Sequence, residues 1–155
     1  MEDYKETISI ADNIATWKIK MEGDIAGTYV GTFKFKCFLS PMQMLSAGKE
    51  YRKMLGEHHL TAPTHEANLA YALIQLKYRI VSAPPFWTST LQDSTIEGDV
   101  ADIEVIMQVL DAAMNAEILF KDEIREQKDK LLQASKASLE KILTENKPNG
   151  SPGTP

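Results

Sequence analysis

THEANLAYALIQLKYRIVSAPPFW, residues 64–87, is the stretch whose reading decides the fold. Helical spacing puts Leu69, Leu73, Leu76 and Ile80 along one ridge, and Ala67, Ala70, Tyr71, Ile74, Tyr78 and Val81 along others. Asn68, Gln75, Arg79 and Ser82 leave a narrow polar line, with Lys77 pointing away from it. A helix apolar around so much of its circumference is normally covered by neighbours. A central helix is therefore expected over 65–83, with Ala70, Leu73, Ile74, Leu76 and Ile80 in the core. Thr64 caps its start, and Glu66 complements the dipole of its first turn. Pro84 and Pro85 end it, because neither can donate an intrahelical hydrogen bond. Phe86 and Trp87 follow at once; their rings are expected to fold back on the core, and both are candidates for contact with a partner.

Outward from that helix, Ser40-Pro41-Met42-Gln43 starts another: a Ser cap, Pro at the first helical position and Gln completing a capping box. Met44, Leu45, Ala47, Tyr51, Met54 and Leu55 supply its apolar face, and Gly56 stops a helix over 41–55. Further back, the period changes. Trp17, Ile19 and Met21 alternate with Lys18 and Lys20, and Phe33, Phe35 and Cys37 alternate with Lys34 and Lys36. Gly23 and Gly27 allow the chain to turn between them. The spacing predicts a β-hairpin over about 14–38 with one apolar face. Alone it is marginal in water, so that face either packs on the helices or meets another subunit.

Towards the C-terminus, residues 84–98 are irregular, with a polar cluster at Asp93-Ser94-Thr95. A third helix over 99–120 buries Ile103, Ile106, Met107, Leu110, Ala113, Met114 and Ile118, and leaves Asp102, Glu104 and Gln108 outside. Over 121–145 the helix formers continue, but the apolar positions thin to Ile124, Leu131, Leu132, Leu139, Ile142 and Leu143 on a charged background. That segment reads as a loosely anchored helical extension, and 146–155, rich in Pro and Gly, as a disordered tail. The expected class is mainly α with a small N-terminal β-hairpin, an α+β fold with a three-helix core, one globular domain over 1–120 and a long C-terminal helix.

Composition narrows the function classes. A 43% hydrophobic and 25% charged chain of 155 residues suits one globular domain, not wholesale disorder. A formal net charge of -5, with Lys and Arg scattered along the chain, argues against nucleic acid as a partner. No apolar run is long enough to cross a bilayer, and the acidic, polar N-terminus is unlike a secretory signal. A cytoplasmic protein with no membrane partner is expected, and the single Cys37 agrees with a reducing compartment.

Candidate chemistry is sparse. His58, His59 and His65 lack metal-ligand spacing and read as solvated loop residues. Cys37 shares the apolar face of its strand and reads as core. Gly23, Gly27 and Gly31 match no phosphate-binding loop. Asp99 with Asp102, and Asp122 with Glu123, read as solvated carboxylates. Met42, Met44, Met54, Met107 and Met114 read first as core filling, with an adaptable partner surface as the alternative. No enzyme, cofactor or metal is expected.

Residues 31–40 (GTFKFKCFLS), the capped helix SPMQMLSAGKEYRKMLG, the apolar helix ending APPFW, an acidic helix and a polar tail follow in order. This layout, over roughly residues 25–120, resembles the small tail assembly chaperones of tailed bacteriophages and related small virion and tail-assembly proteins. The N-terminal hairpin departs from that layout. The resemblance implies a helical, cofactor-free, non-enzymatic chaperone in the host cytoplasm. Such a protein binds the tape measure protein and keeps it assembly-competent while the tail tube polymerises around it. It also implies that the Pro/Gly-rich end suits the junction of a longer, frameshifted form. Leu131, Leu132, Leu139 and Ile142 are the partner-binding candidates of the extension, beside Phe86 and Trp87. The expected partners are the tape measure or other phage tail proteins and a second copy of the chain in a homo-oligomer; the alternative is a virion connector or tail subunit that uses the hairpin to extend a neighbour's sheet.

Overall fold

Asp12 and Asn13, at φ 54° and 67°, turn the chain between two strands that look continuous in sequence. Positive φ at both central residues is the two-residue hairpin turn whose twist matches the flanking strands. The computed structural model, which describes residues 8–25, 27–87 and 102–146, therefore has β1 (Ile8–Ala11) before β2 (Ile14–Glu22) and β3 (Thr28–Lys36). A short β4 (Ile80–Ser82) completes an antiparallel sheet of order β1-β2-β3-β4. The expected hairpin is the centre of this sheet. Helix α1 is Pro41–Leu55, α2 is Thr64–Arg79 and α3 is Ile103–Glu145. The class is α+β. The chain divides into two units, Met1–Phe120 and Lys121–Pro155. The Asp93-Ser94-Thr95 cluster and all but the first residue of the expected tail lie outside the described residues.

The core of the first unit lies on the sheet, not inside a three-helix bundle. Trp17, Ile19, Met21, Tyr29, Phe33, Phe35 and Cys37 are buried on one face, clustered with Ala72 and Leu76 of α2 and with Val105, Val109, Ala112, Ala113 and Ala116 of α3. Phe33 stacks with Phe35 at 5.7 Å between centroids and meets Trp87 edge-on at 5.5 Å. Each such aromatic pair adds about 0.5–1.5 kcal/mol beyond area burial. Gly31 leaves room on this face: a Cβ there would collide with the ring of Pro84.

Helix α2 is less central than its sequence suggests. Ala70, Ile74 and Leu76 are buried, but Leu73 and Ile80 are only half-buried and Tyr71 and Val81 are exposed. It ends at Arg79, and Ile80 takes an extended conformation (φ -72°, ψ 123°) to pair with Phe35. A free edge at β3 outcompetes the last helical turn there, since β-branched Ile80 and Val81 suit a strand. Helix α1 has both expected ends. Ser40 Oγ accepts from Gln43 N at 3.2 Å, Ser40 N donates to Gln43 Oε1 at 2.9 Å, and Gly56 carries φ 74°. It joins α2 through a Tyr51–Tyr71 edge contact at 6.3 Å and through Glu50, which accepts from Tyr78 Oη at 2.7 Å and pairs with Lys77 at 3.0 Å. Burial alone would raise Glu50, but the Tyr78 and Lys77 hydrogen bonds and nearby lysine charge outweigh it and hold the carboxyl below 4.5.

Two polar links fix the helices of this unit. Arg79, 5% exposed, pairs with Glu117 at 3.1 Å and donates Nε to Gln75 at 3.2 Å, joining α2 to α3. Asp102, expected outside the apolar pattern, is buried instead. Its carboxylate accepts from Tyr29 Oη at 2.7 Å and from Ile25 N at 2.8 Å, pinning the β2–β3 turn to the start of α3. Helical periodicity misplaces it because it precedes the first helical residue, where its carbonyl accepts from Val105 N and Ile106 N.

Truncating Leu76, fully buried, to Ala should cost about 2–5 kcal/mol in urea unfolding. Glu117→Ala should cost about 3–5 kcal/mol, because it leaves a buried guanidinium without its counter-charge. A loss under about 0.5 kcal/mol in either would contradict this packing. Burial first, then the hydrogen bond to Asp102 and its charge, push the Tyr29 hydroxyl above 10.0. The Glu50 hydrogen bond first, then burial, does the same to Tyr78. A raised phenol contributes stability that is complete below its unfolded value and lost as pH rises through the folded one. Unfolding free energy should therefore fall as pH climbs above about 10. Tyr29→Phe should cost roughly 1–3 kcal/mol at neutral pH and flatten that alkaline decline; an unchanged alkaline slope would contradict the assignment.

Candidate partner-binding helix face

From Lys121 to Asn146 every side chain is exposed except Ile124, which is half-buried. The helix persists because its residues are strong helix formers, with spacings such as Glu126/Lys130 and Lys141/Glu145 on one face of successive turns. Asp122 and Arg125 approach to 3.8 Å, but both are well exposed, so this pair contributes little.

At about 100° per residue, Ile124, Leu131, Leu132, Leu139, Ile142 and Leu143 fall within a sector roughly 120° wide. Lys128 and Ser135 share that sector. Leu131, Leu132, Leu139, Ile142 and Leu143 are 52–69% exposed. The stripe is wider than the seam of a two-stranded coiled coil, which uses only the a and d positions. Its width suits a groove or a bundle of several helices.

The sequence-derived candidates part company here. Leu131, Leu132, Leu139 and Ile142 lie together on this one exposed face. Trp87 is 1% exposed and Phe86 is half-buried, packed edge-on to Tyr29 at 5.0 Å and to Phe33 at 6.0 Å. Trp87 belongs to the core of the first unit, whereas Phe86 packs against that core and keeps part of its surface exposed. The Pro-Pro-Phe-Trp motif closes over Gly31 and Phe33.

The first unit has an apolar surface of its own, which the core-filling reading of the methionines misses. Met42, Met44 and Leu45 of α1 are more than half exposed, and Met54, Met107 and Phe38 also reach solvent. Met114 packs against the core. Phe38 stacks on Phe120 at 5.6 Å. Helical spacing places Met42 and Leu45 on the face of α1 turned away from Ala47, the one residue that this helix buries.

Cys37 is fully buried. His58 and His65 are exposed and His59 is half-buried. Asp24 lies beside Glu104, and its charge and hydrogen bond raise the Glu104 carboxyl. Among the described residues, no three His, Cys, Asp or Glu side chains gather as metal ligands. No described helix is long and apolar enough to cross a membrane. No family model, curated protein or solved structure matches the chain.

Proposed function

We propose that the chain is a non-enzymatic tail assembly chaperone of a tailed bacteriophage, which binds the tape measure protein in the host cytoplasm. The observation that supports this reading is the apolar stripe of Leu131, Leu132, Leu139, Ile142 and Leu143, exposed along one helix. A helix of this kind recognises its partner by laying i, i+3, i+4 and i+7 anchors into an apolar groove. The charges around the stripe keep the free protein in solution until the client arrives.

Magnitudes suit a holder that must also let go. Fully burying a Leu or Ile side chain contributes about 1.5–3 kcal/mol, so the half-exposed set offers on the order of 5 kcal/mol. Association costs about 4–15 kcal/mol in lost rigid-body freedom. The stripe alone therefore gives a weak, reversible complex, and tight holding requires many sites along a long client. The competing reading, a virion subunit whose N-terminal hairpin extends a neighbour's sheet, is less favoured, because β2 and β3 are inner strands flanked by β1 and β4.

The combined Leu132→Ser and Leu139→Ser variant should keep its circular dichroism spectrum and its melting temperature. On co-expression with the tape measure protein it should recover less than about a tenth of the wild-type client, a change of about 1.4 kcal/mol or more. Recovery at the wild-type yield would contradict the assignment. Mass spectrometry of purified particles should lack this chain, whereas a stoichiometric presence would establish the virion-subunit reading.

A further inference from the structure

The lysines that look scattered in sequence are gathered by the strand register. Thr16 faces Lys34, Lys18 faces Thr32, and Lys20 faces Val30 across β2 and β3, with Lys36 opposite Ile14. All these side chains lie on the face of the sheet opposite the buried Trp17, Ile19, Phe33 and Phe35. Lys20, Lys18, Lys34 and Lys36 form a line. Same-strand neighbours repeat at roughly 6.6 Å, and the diagonal Lys18–Lys34 step is roughly 7–8 Å. Among the described residues none of the four takes part in an ion pair. The nearest described acid on this face, Glu22, is the same-strand neighbour of Lys20 at the end of the line and accepts from Thr28 Oγ1 at 3.0 Å.

Two structural explanations fail. Lysines often protect sheet edges from further pairing, but β2 and β3 are the inner strands of this sheet. Nor do the lysines pair with acids across the strands, because Thr32, Val30, Thr16 and Ile14 stand opposite them. The chain nevertheless concentrates four positive charges here against a net charge of -5. We propose that this outer sheet face docks an acidic protein segment, held by Lys18, Lys20, Lys34 and Lys36. Carboxylates at alternate positions of an extended segment repeat at roughly 6.6 Å, the same step as Lys18–Lys20 and Lys34–Lys36. Single-stranded nucleic acid is the less suited polyanion. Among the described residues of β2 and β3, this face offers threonines and Val30 but no aromatic ring for base stacking. The proposal does not depend on the client of the C-terminal helix.

The test uses the full chain and two labelled probes of equal charge, an alternating Glu-Thr peptide and an oligothymidylate, followed by fluorescence anisotropy at low salt. The peptide should bind, and its affinity should fall as salt is added. Combining Lys18→Gln, Lys20→Gln, Lys34→Gln and Lys36→Gln should weaken it at least tenfold. Combining Lys128→Gln, Lys130→Gln, Lys136→Gln and Lys141→Gln, the same charge change on the C-terminal helix, should weaken it less than twofold. The sheet variant should melt no lower than the wild type. Absence of peptide binding, equal losses in the two variants, tighter binding of the oligothymidylate, or a lower melting temperature of the sheet variant would each overturn the proposal.

Discussion

Everything in the first unit depends on covering one aromatic sheet face. Trp17, Phe33 and Phe35 point to the same side of β2 and β3, and leaving them in water would cost several kcal/mol. The cover is made of small residues where the sheet is bulky. Ala112, Ala113 and Ala116 of α3, all fully buried, share one core cluster with the rings. Phe86 and Trp87 fill the remainder, and Pro84 fits against the strand only because Gly31 has no side chain. Packing of this kind, large against small, reaches the density of a native interior without strain.

The same two strands set the outer surface, because a period of two sends every alternate side chain away from the core. What is buried on one side as an aromatic cluster is matched on the other by a row of lysines. Helix α3 divides its roles along its length instead. Up to Phe120, Val105, Ile106, Val109, Leu110 and the buried alanines belong to the sheet's core, while Ile103, Met107 and Ile118, expected inside, are exposed; beyond Lys121 only Ile124 is even half-buried. Apolar side chains that the fold does not use are the strongest reason to look for function outside it. The exposed methionines of α1 add to that case, since flexible thioethers adapt to partners of differing shape.

Much of this was legible in the residues. The capping box at Ser40 and Gln43 and the stop at Gly56 are local signals, satisfied within a few residues of the helix ends, and they locate α1. The Lys/aromatic alternation locates β2 and β3 for the same reason. Helix α2 misled because apolar residues on several sides do not reveal how many neighbours exist to cover them; Tyr71 stays exposed although Tyr51 meets its edge, and Val81 stays exposed as well. The β1–β2 turn was missed because Asp12-Asn13 is short, although an Asp-Asn pair between apolar runs is a turn signal. Strand β4 and the Asp102 clamp depend on partners far away in sequence, Phe35 for one and Tyr29 for the other. No local pattern encodes such pairings. Of the candidate site, the leucines of the extension were legible from their charged background, whereas the burial of Trp87 became visible only with the sheet in place.

The central claim is that residues 124–143 keep an apolar face free in the isolated chain and lose it to the client. Amide hydrogen exchange, measured on the chain alone and again with the tape measure protein, tests this directly. Amides of 124–143 should exchange quickly in the free protein, because nothing but their own helix protects them, and should slow by at least tenfold in the complex, while those of β2 and β3 stay slow in both. Strong protection of 124–143 in the free chain, or no added protection with the client bound, would contradict the account.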